Sequence, residues 1–304
     1  MKKMILGATA LLFVGTAFAQ SGALAKNVAL GNVIGANNDV FIDQTSDFGV
    51  YNYSEIVING SNNFVDVDQL GGNDSYIVQT GSNNDATVMQ VSVAGPLPSY
   101  QISNVDQLGN YNTADVYQGG TSNVSDVDQN SIGAVDMLEN EANVLQGTTN
   151  AGSAGNSSVI NQSGSANFVR HTQNGDDNEA NSNQTRTGSS GLVVTLFHLG
   201  SHITQDGDRN FADVDQDGSN QISYVTQTAT TGGGVMMYTN EATIIQNGEN
   251  NRSEAIQGDS SPLLMDADNY LMVTQTNTTL PIGVGNVSMA TQNGANSHIV
   301  NQNN

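Results

Sequence analysis

The chain has 304 residues, with 29 acidic against 7 basic side chains and a formal charge of −22. That balance argues against binding to nucleic acid or anionic membranes, which needs clustered Lys and Arg. The absence of Cys excludes a disulfide scaffold and thiolate chemistry. With 40 Asn and 22 Gln, the composition fits either polar disorder or a repetitive β structure with a thin core, and the spacing of the Gln residues decides for the second.

At the N-terminus, Lys2 and Lys3 precede an apolar run from Met4 to Val14 that ends in Ala17-Phe18-Ala19 before Gln20. A charged start, an apolar middle and a small-x-small site predict a secretory signal peptide over 1–19, followed by a short segment, 20–26. The run is too short for a membrane span, and no Cys follows it to carry a lipid. Without Lys2 and Lys3, five basic residues face 29 acidic ones, so the mature chain is expected to be secreted and acidic.

From residue 27 to 304 one seven-residue unit recurs, Asn-x-[Ala/Ser]-x-[Val/Ile]-x-Gln, in 21 copies from Asn27–Val33 to Asn296–Gln302. Its last place is filled by Gln44, Gln69, Gln79, Gln90, Gln107, Gln118, Gln129, Gln146, Gln162, Gln173, Gln184, Gln205, Gln216, Gln227, Gln246, Gln257, Gln275, Gln292 and Gln302, with Val33 and Ile58 as the exceptions. Its first place is Asn in 18 copies, Asn84, Asn112, Asn123, Asn178, Asn210 and Asn251 among them; Gln101, Gln221 and Leu199 depart. The period within the unit is two, the period of a strand, so the Asn, small, aliphatic and Gln places share one buried face. The other face is mixed and polar, with Asp66, Asp115, Asp126, Asn181, Asp213 and Glu254.

Twelve of the twenty intervals between successive last places span 10 or 11 residues, and each has Gly two places on: Gly35, Gly60, Gly71, Gly81, Gly109, Gly120, Gly164, Gly175, Gly207, Gly218, Gly248 and Gly294. A tight turn needs φ > 0, which Gly supplies at low cost. The other eight intervals run from 14 to 21 residues and lack that Gly; all four prolines (Pro96, Pro98, Pro262, Pro281) lie in such intervals. Long loops are therefore expected around 91–100, 130–139, 147–155, 185–200, 228–239, 258–268 and 276–285.

Short turns between near-identical strands permit a meander or a coil whose alternate units stack in parallel. Stacking sets like amides about 4.8 Å apart, within reach of one another. A buried amide without a partner costs about 1–3 kcal/mol, which favours the coil. The expected fold is all-β: a parallel β-solenoid of roughly ten two-strand rungs, about 50 Å long. The repeat runs on to Gln302 with no capping helix, so the open ends are expected to recruit further copies.

The pattern resembles the curlin repeat of curli fimbrial subunits. The motif core Gln-x-Gly-x-x-Asn-x-Ala-x3-Gln stands at Gln79-Gly81-Asn84-Ala86-Gln90, Gln107-Gly109-Asn112-Ala114-Gln118, Gln173-Gly175-Asn178-Ala180-Gln184 and Gln205-Gly207-Asn210-Ala212-Gln216. Near matches with Ser or Val at the Ala place start at Gln118, Gln162 and Gln246. The resemblance implies a secreted, non-enzymatic subunit that self-assembles into extracellular amyloid fimbriae of a biofilm matrix, with roles in adhesion and cell aggregation. It also implies a nucleating curlin and an outer-membrane export pore as partners, and no cofactor. The chain departs from the family in its length, in apolar loop stretches such as Leu192–Leu199 and Val235–Tyr238, and in having no Gly-rich leader before Asn27.

Other features carry weaker chemistry. Asp213-x-Asp215-x-Asp217-Gly218 has the start of a calcium loop, but the twelfth place is Tyr224, not the bidentate Glu. Looser calcium binding by stacked pairs such as Asp43 and Asp68 is the better form of that idea. His198 and His202 have a helical metal spacing in a region expected to be loop and strand. Asp176-Asp177 and Asp206/Asp208 are paired carboxylates of the sort used by polysaccharide-cleaving enzymes, yet they fall in compact turns that Asp commonly supports. Thr172, Thr204 and Thr226 form a short outward row, so a monomeric solenoid that acts as an adhesin or binds ice or carbohydrate is the alternative function.

Overall fold

A computed structural model describes residues 27–46, 50–92, 100–131, 140–147, 154–186, 199–219, 221–229, 240–258, 269–277, 286–293 and 297–303. The expected signal peptide, the four prolines, the apolar stretches Leu192–His198 and Val235–Tyr238, and Gly294, Asn296 and His198 lie outside them.

Among the described residues there are 21 strands and no helix. They are β1 (Val28–Ile34), β2 (Asp39–Thr45), β3 (Tyr53–Ser61), β4 (Phe64–Leu70), β5 (Gly72–Ser82), β6 (Asp85–Ser92) and β7 (Tyr100–Asn110). Next come β8 (Asn112–Gly120), β9 (Val124–Asn130), β10 (Asn140–Gln146), β11 (Ser157–Ser163), β12 (Asn167–Asn174), β13 (Glu179–Thr185) and β14 (Leu199–Asp206). The last are β15 (Phe211–Ser219), β16 (Ile222–Thr228), β17 (Asn240–Glu249), β18 (Arg252–Gly258), β19 (Asn269–Asn277), β20 (Val287–Asn293) and β21 (Ser297–Asn303). Each repeat unit supplies one strand. Several edges run a residue or two into the expected loops, as at Val91–Ser92 in β6 and Tyr100 in β7.

Odd-numbered strands form an 11-stranded sheet and even-numbered strands a 10-stranded one, in chain order and parallel throughout. The chain thus winds as a coil, each strand pairing with the one two units on, which is the expected solenoid and not a meander. Register holds like on like: Gln107 pairs with Gln129 and Ser103 with Ser125.

Alternation fixes what lies between the sheets. On β4, Val65, Val67 and Gln69 are fully buried while Asp66 and Asp68 face out. The aliphatic places of both sheets meet in a thin core in which Ile56, Val67, Ile77 and Val88 pack together. Burying each such side chain contributes about 1.5–3 kcal/mol. The core is interrupted once. One cluster ends at Val169 on β12 and a second starts at Ala180 on β13, because the aliphatic place there is His171 and then Ser182.

The turns show a second requirement that the Gly rule does not contain. Eleven of the twelve predicted glycines are described, and all have positive φ, from +92° at Gly207 to +153° at Gly60. A second left-handed residue stands just before the Asn of the next unit: Asn37, Asn62, Asn83, Tyr111, Ser122, Ala166, Asp177, Arg209 and Asn250, with φ from 55° to 59°. Asn and Asp tolerate that conformation best, yet Tyr, Ala and Arg also occupy it. Residue type alone therefore does not mark the position.

Candidate assembly ladder

Most repeat units open and close their inward face with an amide, and the coil stacks these amides into columns. In the even sheet, Nε2 of Gln44 donates to Oε1 of Gln69 at 2.7 Å, and the chain of donation runs on through Gln90, Gln118, Gln146, Gln173, Gln205, Gln227 and Gln257 to Gln292 at 2.7–2.9 Å. In the odd sheet the column runs from Gln79 through Gln107, Gln129, Gln162, Gln184, Gln216, Gln246 and Gln275 to Gln302 at 2.7–3.2 Å. Each amide donates toward the C-terminal end. The predicted Gln residues are thus brought together, and all but the terminal Gln302 are buried.

The second Nε2 proton has a fixed use that sequence reasoning missed. It reaches across to a backbone carbonyl at the start of the preceding strand, in the opposite sheet: Gln69 to Tyr53, Gln79 to Phe64, Gln107 to Asp85, Gln129 to Thr113 and Gln302 to Val287, at 2.8–3.1 Å. One side chain therefore ties rung to rung and sheet to sheet. Asn is too short to span both gaps, which accounts for Gln at this place.

The Asn columns run the other way. Asn178 donates to Oδ1 of Asn156 at 3.1 Å and Asn210 to Oδ1 of Asn178 at 2.9 Å, toward the N-terminal end. Asn112 and Asn84 make the same pair at 3.0 Å. The Asn amides also hold the turns, as Asn123 does at Gly119 O (2.7 Å), Asn251 at Asn247 O (2.9 Å) and Asn178 at Gly207 O (2.7 Å). Several faults in the columns coincide with departures from the repeat, although Asn251 Oδ1, beneath the regular Asn286, lacks a partner too. Asn167 Oδ1, beneath Leu199, has no partner, nor has Oε1 of Gln101 or of Gln221.

The glycines stack as well. A Cβ on Gly60 would overlap the carbonyl oxygen of Gly81, one on Gly81 that of Gly109, one on Gly175 that of Gly207, and one on Gly218 that of Gly248. On Gly164 it would press on the Arg186 side chain. Positive φ is half of the reason for Gly; close approach of the next turn is the other half.

His171 is the fully buried polar group that the repeat pattern did not single out, although it stands at an aliphatic place. Nδ1 lies 2.8 Å from Ser158 Oγ and Nε2 2.8 Å from Ser182 Oγ, which is 2.8 Å from Ser201 Oγ. Burial pushes the His171 pKa down to about 3.

The carboxylates are distributed along the outer faces and turns. Asp43 pairs in register with Asp68, whose pKa is raised by burial and by Asp43. Asp213 and Asp215 both face out from β15, raised mainly by burial, and Asn183 donates to Asp215 at 3.3 Å. Asp176 and Asp208 serve as turn supports between rungs: Ala154 N donates to Asp176 Oδ1 at 2.8 Å, and Asp176 N to Asp208 Oδ1 at 3.0 Å. Asp177 lies 3.9 Å from Arg209. Thr172, Thr204 and Thr226 do stand on successive strands of one face, and Ile256 ends the row.

The family model of the curlin associated repeat matches residues 60–91 and 202–228, two stretches that hold β4, β5, β15 and β16 in full and most of β6 and β14. Neither the curated proteins nor the solved structures give a match. Coil, Gln columns and stacked Gly turns recur far beyond both stretches, and over those two stretches the chain is similar to the curlin associated repeat.

Proposed function

We propose that this protein is the structural subunit of an extracellular curli-type amyloid fibre, exported by its N-terminal signal and polymerised head to tail, with a part in biofilm cohesion and cell adhesion. The observation that carries this reading is the polarity of the Gln columns. Gln44 begins one with a carboxamide oxygen, and Gln292 and Gln302 end both with amide donors. Among the described residues, β1, β2, β20 and β21 each pair on one side only. Inward residues there are partly exposed: Val33, Val40 and Ile42 at one end, Val300 at the other. Donor end meets acceptor end only when copies add in one direction, and such addition does not close.

A nucleating curlin and an outer-membrane pore are the partners this role calls for. The test is a time course of purified mature chain followed by electron microscopy. Unbranched filaments are expected. A chain that stays monomeric at high concentration would contradict the proposal and favour the monomeric solenoid.

A further inference from the structure

Positive charge is scarce on this chain and is not scattered. Of the four arginines, Arg209 faces Asp177 and Arg186 donates to Ser165 O. The other two, Arg170 on β12 and Arg252 on β18, are exposed on the outer face of the even sheet, and neither has an ion-pair partner among the described residues. Between them the outward residues are Phe168 and Thr172 on β12, Gly200, His202 and Thr204 on β14, and Ile222, Tyr224 and Thr226 on β16, with a single carboxylate, the exposed Asp206, at the C-terminal edge of β14. The next on this stretch is Glu254, beside Arg252 on β18.

The rings form a preassembled column. Phe168 and His202 lie 5.1 Å apart, His202 stacks on Tyr224 at 4.9 Å with planes 10° apart, and the Arg252 guanidinium sits 5.9 Å from the Tyr224 ring centre. Aromatic and Arg side chains held in this way are what protein interfaces use as anchors.

The odd sheet at the same height along the coil has the opposite character. Its outward residues include Glu179 on β13, Asp213 and Asp215 on β15, and Glu241 on β17. Burial, Asp215 and Glu179 all raise the Asp213 pKa; an approaching cation would relieve that crowding.

We propose that the Phe168–Arg252 face docks on the Glu179–Glu241 face of a second copy, side by side and without axial offset. The inference deepens the fibre reading and rests on it for its biological role, as the contact that gathers filaments into bundles. The occupant is a second copy because the matching carboxylates lie on the same molecule, at the same height. A front-to-back contact also leaves each copy with an unused face, so the association extends sideways.

The test uses two charge-reversed chains, R170E/R252E and D213K/D215K, in sedimentation velocity on freshly purified soluble protein. The parent should self-associate at low ionic strength and lose this by about 0.5 M salt, where exposed charges are screened. Each variant alone should associate at least about tenfold more weakly, and an equimolar mixture should recover the parent's behaviour. Fibres of either variant should keep their strand spacing but lie as separate filaments. Undiminished association of R170E/R252E, or no recovery on mixing, would overturn the proposal. So would a monodisperse parent whose arginine face instead captures a soluble acidic polysaccharide. If no filaments form, the fibre reading fails, while the sedimentation experiment still decides on this face.

Discussion

The Gln79 carboxamide stands directly on Ile58: its Oε1 has no hydrogen-bond partner, while its Nε2 donates to Gln107 at 2.8 Å. The odd column therefore begins with one orphaned acceptor. Gln129, by contrast, is engaged at both ends, accepting from Gln107 at 2.9 Å and donating to Gln162 at 2.8 Å.

This difference sets the cost of breaking the column. Gln79→Leu moves the orphan from Gln79 to Gln107, whereas Gln129→Leu creates an unpaired donor and an unpaired acceptor in a dry interior. With about 1–3 kcal/mol for each such group, Gln129→Leu should destabilise by at least about 2 kcal/mol more than Gln79→Leu in urea unfolding. Equal losses would show that the columns are not continuous.

Gly207 and Gly200 separate turn stacking from mere smallness. Gly207 has φ +92° and a Cβ there would overlap the Ala229 carbonyl oxygen; Gly200 has ordinary φ and open space. Gly207→Ala should cost about 2 kcal/mol or more from backbone strain and overlap. Gly200→Ala should lie within about 0.5 kcal/mol of the parent. Thermal melts of the two variants decide it.

Acid acts on the core through His171. Its pKa is about 3 in the folded chain against 6.5 for a free side chain, so the unfolded chain binds the proton more readily. The contribution is fully present above pH 6.5 and is lost as pH falls toward 3. The crowded carboxylates Asp68, Asp128 and Asp213, raised chiefly by burial, act in the opposite sense: they favour the fold as they protonate on descent toward pH 3.8. His171→Val isolates the first effect. Between about pH 7.5 and 5 the parent should lose about 2 kcal/mol relative to the variant. A difference independent of pH would refute the assignment.

Ser75 and Ser103 lie in register in the small inward column, buried, and their hydroxyls have no partner. Ser is present at these two places because it is small, not because it bonds. Ser75→Ala with Ser103→Ala should therefore raise stability, by roughly 1 kcal/mol or more. A loss of stability would mean the hydroxyls are satisfied.

The fold was legible because two independent signals, Gln spacing and Gly punctuation, state one geometry. Gln79 and Gln107 announce one column and Gln90 the other, and the absence of Gly after Gln90 announces a long link. What stayed hidden needs coordinates. The bond from Gln107 to the Asp85 carbonyl joins residues in different sheets at a backbone atom, which has no residue type to read. The left-handed position holds Tyr111 as readily as Asn83, since turn stacking overrides preference. His171 was visible as an interruption of the aliphatic place, but its bonds to Ser158 and Ser182 depend on which rungs the coil brings together. The Arg170–Arg252 face likewise combines residues from three rungs and more.

Fibre diffraction from aligned, assembled mature chain tests the central claim most directly. Rungs that continue from copy to copy predict a sharp meridional reflection at about 4.7–4.8 Å, the spacing of hydrogen-bonded strands stacked along the fibre axis. Fibres that lack this reflection, or that place it on the equator, would contradict head-to-tail continuation of the coil.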